Sequence, residues 1–146
     1  MTMTWQKESA PHWDADKQAL FGPTELASAG LQAVEPNTPI ADEWWRVATE
    51  DGRVVGYGWL DSEWGNARIS FFVAPAARGS GAGEFILDRL EEEAVSRGLN
   101  YIYNIVPDTH PDQVWMTNWL SLHGFQQSHQ GELRRQVAAS HAREQA

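Results

Sequence analysis

Apolar and polar positions follow two different periods along the chain, and the switches between them mark the elements. Residues 4–8 read as a short strand. Residues 11–21 (PHWDADKQALF) predict a helix whose apolar side holds Trp13, Ala19, Leu20 and Phe21, ended by Gly22-Pro23. Thr24 is placed to cap a second helical stretch over 24–33, with Leu26, Ala29 and Leu31 as its apolar positions, and the prolines at 36 and 39 force a loop after it. From Glu43 the period changes to that of a strand. Trp44, Trp45 and Val47, then Val54, Val55, Tyr57, Trp59 and Leu60, flank the turn Glu50-Asp51-Gly52-Arg53, so a hairpin is predicted there. Residues 61–66 read as a polar break. Residues 68–74 (RISFFVA) form the next strand, stopped by Pro75 and apolar enough on both sides to lie inside a sheet.

The strongest helical pattern covers 83–97, where Phe85, Ile86, Leu87, Leu90, Ala94 and Val95 make a broad apolar stripe. Glu84 and Asp88 near its start and Arg97 near its end suit the helix dipole, and Gly98 suits its close. Residues 100–106 (NYIYNIV) are a strand and 113–123 (QVWMTNWLSLH) a second amphipathic helix, closed by Gly124. Residues 125–128 and 132–137 form a final pair across His129-Gln130-Gly131, and the tail 138–146 is expected to fray.

Composition narrows the classes. At 146 residues the expectation is a single domain, residues 1–137, able to bury roughly 70% of its unfolded surface. With no cysteine, disulfide frameworks and thiol nucleophiles are excluded, and the cytoplasm is the default compartment. No signal-like start and no bilayer-length apolar run is present, so a soluble chain without membrane contact is expected. A net charge of −9 argues against a nucleic-acid partner, since phosphate grip needs a Lys and Arg patch. The same acidity suits a cationic partner such as an amine, or serves solubility alone.

Candidate chemistry concentrates in Val73-Ala74-Pro75-Ala76-Ala77-Arg78-Gly79-Ser80-Gly81-Ala82-Gly83, a glycine-rich turn between a buried strand and a strong helix. Small residues at a helix N-terminus let backbone N–H groups approach an anion, and the helix dipole adds to the attraction. A Walker loop is excluded, because Gly79 and the four residues after it are followed by Glu84-Phe85-Ile86. A G-x-G-x-x-G dinucleotide fingerprint fails too, since glycine would be needed at Glu84 or at Ile86.

What remains resembles the acetyl-CoA signature of the GNAT N-acetyltransferases, Arg/Gln-x-x-Gly-x-Gly/Ala, matched by Arg78-Gly79-Ser80-Gly81-Ala82-Gly83. The Val73-x-Pro75 end of the preceding strand, the helix at 83–97, the strand at 100–106 and the His123-Gly124-Phe125 close extend the resemblance over residues 43–137. It implies an α/β fold with a mixed, mostly antiparallel central sheet, splayed near its middle and flanked by helices on both faces. It also implies transfer of an acetyl group from acetyl-CoA to a primary amine of a small molecule or peptide, directly within a ternary complex and with no metal. A non-catalytic acyl-CoA-binding regulatory module of the same fold is the alternative, and use of a longer acyl donor a third reading. Homodimer formation stays open.

By the same resemblance, the backbone of Gly79, Ser80, Gly81, Ala82 and Gly83 holds the coenzyme's pyrophosphate, with Arg78 beside it. Phe71, Phe72 and Val73 pair with the pantetheine arm and offer an N–H to the thioester oxygen. The tyrosine that serves many family members as the acid falls on Leu120, a departure that leaves Asn118 and Ser121 on the same helix, or Tyr101 and Tyr103, as polar alternatives. Ser121 is taken as the candidate acid and Asn118 as a coenzyme contact. An asparagine of the family pattern falls on Gln113 or His110, according to the direction of counting. Asp61 and Glu63 are the candidate bases, with Glu63 preferred. The segment from His12 to Asp16 lacks metal-ligand spacing. Most of the eight tryptophans are expected in the core, while Trp64 and Trp13 are placed to line an acceptor pocket, where an aromatic face attracts an amine.

Overall fold

The computed structural model describes residues 2–32, 34–128 and 132–137. Its elements run β1 (Met3–Lys7), α1 (Ala15–Leu20), α2 (Pro23–Ala29), β2 (Trp44–Thr49), β3 (Val54–Glu63), β4 (Asn66–Val73), a 3-10 turn (Pro75–Ala77), α3 (Ala82–Ser96), β5 (Tyr101–Ile105), α4 (Gln113–Leu122), β6 (Gln126–Gln127) and β7 (Glu132–Gln136). Among the described residues the strands form one seven-stranded sheet, ordered β1-β2-β3-β4-β5-β7-β6. Every neighbouring pair is antiparallel except β4 and β5. A parallel pair needs a crossover, which α3 supplies. No helix among the described residues is long and apolar enough to cross a membrane.

The two faces of the sheet are covered differently. On one, a Cβ at Gly56 would sit 3.0 Å from Ile86 of α3 and 2.5 Å from the Phe72 carbonyl oxygen of the neighbouring strand β4. Glycine is what that approach requires. On the other, Phe21 at the end of α1 stacks on Phe72 at 4.1 Å and on Tyr57 at 6.0 Å. Trp44 and Trp59 face each other across the β2–β3 ladder and stack at 4.1 Å, while Trp5 stacks on Trp45 at 5.3 Å. The hairpin turn closes as its Asp-Gly pair predicts, with Gly52 at φ +85.

Several boundaries differ from the sequence expectation, each for a local reason. The first helix starts at Ala15 rather than at 11, because Asp14 caps it by accepting from the Lys17 N–H at 2.9 Å. The residues before it are extended: Trp13 exchanges backbone hydrogen bonds with Thr38 and Asn37. The second helix ends at Ala29 rather than 33, since Gly30 takes a left-handed conformation and returns its N–H to α2. The polar break at 61–66 is mostly strand. β3 runs on to Glu63 and β4 starts at Asn66, because a ladder partner satisfies the backbone whatever the side chains. The turn at 129–131 and the tail from 138 lie outside the described residues.

A buried lysine holds the N-terminal segment to the sheet. Lys17 Nζ is fully buried, donates to Glu8 at 2.7 Å and Asp14 at 3.1 Å, and lies over the rings of Tyr57 and Trp44. Burial raises the Asp14 carboxyl, but the hydrogen bonds and charge of Lys17 outweigh it and hold it below its ordinary 3.8. Replacing Lys17 by alanine strands both carboxylates and is expected to cost about 3–5 kcal/mol in urea unfolding at pH 7. The Asp14 carboxyl releases its proton more readily when folded. Its stabilisation is therefore present above pH 3.8 and lost as pH falls through the depressed folded value, which acid unfolding of the Asp14→Asn variant against the parent measures.

Candidate functional site

The parallel ladder between β4 and β5 is short. Only Asn66, Ala67 and Arg68 pair with Tyr101, Ile102 and Tyr103; the next contact is a single side-chain brace, Asn104 Nδ2 donating to the Ile69 carbonyl at 2.9 Å. Past it the strands part, while the other edge of β4 stays paired with β3 as far as Val73. Alternate backbone groups of Phe71, Phe72 and Val73 on the β5 side therefore have no ladder partner. The sheet is open at this point.

The glycine loop continues from that open edge. Gly79 and Gly81 have φ of +78 and +88, and Gly81 caps α3 in the left-handed region. No acceptor among the described residues takes the N–H of Gly79, Gly81, Ala82, Gly83 or Glu84. These five donors sit at or beside the positive end of a fifteen-residue helix, with exposed Arg78 just before them. Ser80 turns its hydroxyl to the Ala77 carbonyl, which tightens the loop. Gly83 has a second reason to be small: a Cβ there would meet the Trp119 ring at 3.2 Å. Trp119 also packs on Phe71 at 5.5 Å and on His123 at 4.2 Å, so α4 walls one side of the opening.

Two hollows meet at the splay. A cavity of about 130 Å³ is lined by Phe71, Asn104, Ile105 and Met116, and a groove of about 510 Å³ by Leu31, Asp42, Trp59 and Asp61. Ala29, Gly30, Arg68 and Ser70 line both, making one cleft that runs from the open edge of β4 to the α2 side of the sheet.

The residues singled out from sequence are distributed unevenly around this cleft. Phe71 lines it; Phe72 turns into the core, so only its backbone faces the opening. Asp61 lines the groove, whereas Glu63 is exposed beside the β3–β4 turn and accepts from the Trp64 indole at 3.0 Å. Ser121 is exposed and bonded to the Thr117 carbonyl at 2.9 Å, Asn118 is exposed, and neither lines the cleft; Leu120 is fully buried in the core. Gln113 opens α4 and donates to the Pro107 carbonyl at 3.0 Å, while His110 lies in the loop before it. Burial holds the His110 imidazole below its ordinary 6.5. Tyr103 stands at the last paired position, where burial and the Glu132 charge raise its phenol above its ordinary 10.0. Trp13 is buried and packed on Phe21, and Trp64 is 89% exposed at a turn, so the two form no common pocket. Arg68, Ser70, Asn104 and Met116 were not anticipated. Their trace in the sequence is polar residues at alternate positions in the apolar run RISFFVA, and one asparagine inside NYIYNIV.

The family model described as "Acetyltransferase (GNAT) family" matches residues 6–125, which include this open edge and the glycine-rich helix start. The chain belongs to the GNAT acetyltransferase family. No curated protein matches it. Among solved structures, this GNAT domain is similar to a phosphinothricin acetyltransferase from Sinorhizobium meliloti in complex with AcCoA (19% identity, 97% of this chain, 92% of that chain, TM-score 0.62). It is also similar to an N-acetylglutamate synthase from Neisseria gonorrhoeae complexed with coenzyme A and N-acetyl-glutamate (16%, 94% of this chain, TM-score 0.69), spanning 35% of that longer chain. The ribosomal-protein-S18-alanine N-acetyltransferase from Escherichia coli is similar at 12% identity over 93% of this chain and 94% of that one, TM-score 0.58. At these identities the likeness is one of fold.

The left-handed loop positions can be tested directly. Nothing lies within 4 Å of a Cβ built at Gly81, so Gly81→Ala meets only the backbone penalty of positive φ. It is expected to cost about 1–2 kcal/mol in chemical unfolding.

Proposed function

We propose that this GNAT domain transfers an acetyl group from acetyl-CoA to the primary amine of an acceptor bound in the cleft, by direct attack. The observation that carries the reading is the set of N–H groups of Gly79, Gly81, Ala82, Gly83 and Glu84, unpartnered among the described residues, in the loop that follows the open edge of β4. Such a set fits a polyanion with an extended amide-bearing arm, and AcCoA and coenzyme A are the ligands of the similar proteins from S. meliloti and N. gonorrhoeae. Acetyl-CoA supplies the acyl group as an activated thioester.

The loop donors from Gly79 to Gly83 bind the pyrophosphate, with Arg78 adding charge from the exposed side. The β4 edge at Phe71, Phe72 and Val73 pairs with the pantetheine arm and directs an N–H at the thioester oxygen. Amine attack builds negative charge on that oxygen, and a preorganised donor there is worth about 3–4 kcal/mol. Asp61, the candidate base that lines the groove, receives the proton of the incoming ammonium through water; Glu63 stands two residues further along the strand. With Leu120 buried and Ser121 outside the cleft, the leaving thiolate takes its proton from solvent. The new amide bond forms as the carbon–sulfur bond breaks. With no cysteine in the chain, transfer has no acetyl-cysteine intermediate.

Acetyl-CoA and CoA are expected to raise the melting temperature, with about 2.7 kcal/mol of added stability at a hundredfold excess over Kd, while NAD at equal concentration does not. Gly81→Glu should abolish the shift, because it places a carboxylate beside the pyrophosphate, and Gly81→Ala should keep it. No shift with CoA would sink the assignment. Thiol release from acetyl-CoA across a panel of primary amines then tests the transfer itself.

A further inference from the structure

Cross-strand partners share a face of a sheet, so the strand registers fix two rows that each cross four strands. One row runs from Asp61 on β3 through Arg68 on β4 and Tyr103 on β5 to Arg134 on β7. The next holds Glu63, Asn66, Tyr101 and Gln136 in the same order. Asp61, Glu63, Arg68 and Gln136 are exposed and the other four half-buried. The helices that follow β4 pack behind these rows. Arg135, which alternates with Arg134, turns to the opposite face, where it meets Glu91 of α3 and the His123 carbonyl at the end of α4. On the front, Phe21 of the N-terminal segment covers Tyr57 and Phe72, further along the sheet.

The groups on this front are left as an interface would leave them. Asp61 and Arg68 are direct cross-strand neighbours, yet neither has an ion-pair or hydrogen-bond partner among the described residues. Past the second row, the two-residue β3–β4 turn carries Trp64, 89% exposed and at φ +54, followed by Gly65 at φ +81. Two successive left-handed residues in such a turn call for Asn-Gly or Gly-Gly, so a bulky indole stands in solvent at a backbone conformation that disfavours it. Tyrosine, tryptophan and arginine are also the residues that dominate contacts between proteins.

We propose that this face joins two copies of the chain, related by a two-fold axis that runs parallel to the strands between β4 and β5, the middle of the four. That axis lays β3 of each copy over β7 of the other and β4 over β5. Asp61 then meets the second copy's Arg134, Arg68 its Tyr103 ring, Asn66 its Tyr101 and Glu63 its Gln136. Charge favours this axis. A parallel axis along β4 or along β5 stacks Arg68 on Arg68 or on Arg134, and an axis across the strands midway between the rows sets Asp61 on Glu63. Like charges face to face oppose binding, whereas arginine on a carboxylate or a phenol ring gains from the exclusion of water. Two twisted sheets pack face to face with their strands within about 30° of each other, which this arrangement allows. Asp61 and Arg68 also line the groove, so the second copy walls its rim beside β3. A carboxylate has about four lone-pair sites, and Asp61 held by arginine still accepts from water there.

Sedimentation equilibrium of the full chain from about 1 to 100 μM should give a mass of twice 16.4 kDa at the upper end. Asp61→Arg and Arg134→Asp should each weaken the dimer at least about tenfold, because each sets like charges face to face. The double variant, and an equimolar mixture of the two single variants, should restore it, since either puts arginine back on aspartate between copies. Within one chain the two positions stand three strands apart, about 14 Å, so recovery reports a contact between chains. Thermal melting checks that each variant folds. Arg134 also holds Glu132 and lies over the Tyr101 ring, so if Arg134→Asp does not fold, Arg68→Glu takes its place and should weaken the dimer as much. A monomer throughout the range, a dimer indifferent to Asp61→Arg and Arg68→Glu, or weakening that neither the double variant nor the mixture reverses would overturn the interface.

Discussion

The site depends on one interrupted ladder. β4 and β5 pair over three residues and then separate, with a single amide holding the point of the splay through Asn104 and the Ile69 carbonyl. An unpaired stretch inside a sheet leaves backbone donors and acceptors unmet, a cost that a continuous ladder would avoid. Here the gap lies beside a cleft lined by β4, by β5 and by the end of α2. The stiffness that keeps it open comes from both flanks: β4 remains paired with β3 along its whole length, and β5 with β7.

Charge acts locally around that cleft. A net charge of −9 argues against a basic surface, yet the loop presents a cluster of N–H donors at a helix start, whose attraction for an anion needs no lysine. The groove beside β3 is mixed instead, lined by Asp42 and Asp61 together with Arg68 and Trp59.

Much of the fold was legible along the chain because its signals are local. The Asp-Gly turn, the apolar run ended by Pro75 and the stripe over 83–97 each specify an element with its own residues, and each element is present within a residue or two. Misplaced boundaries occur where a contact remote in sequence, or a cap, overrides periodicity. Trp13 belongs to an extended segment because Thr38 and Asn37 supply its backbone partners, and residues 61–63 are strand because β4 does. For the site, the loop was visible and the residues of the cleft were not. Glu63 was preferred to Asp61 along the chain, but once β3 is paired only Asp61 lines the groove while Glu63 accepts from the Trp64 indole.

By itself the sequence determined the order of elements, the glycine loop with its positive-φ positions, and the family, since each rests on residue type and short spacing. Only the tertiary structure decided where β4 and β5 part, which buried amide is left half-bonded, and which arginine stays without a carboxylate. Those three depend on the register between strands far apart in the chain, because pairing and its absence are properties of two segments together.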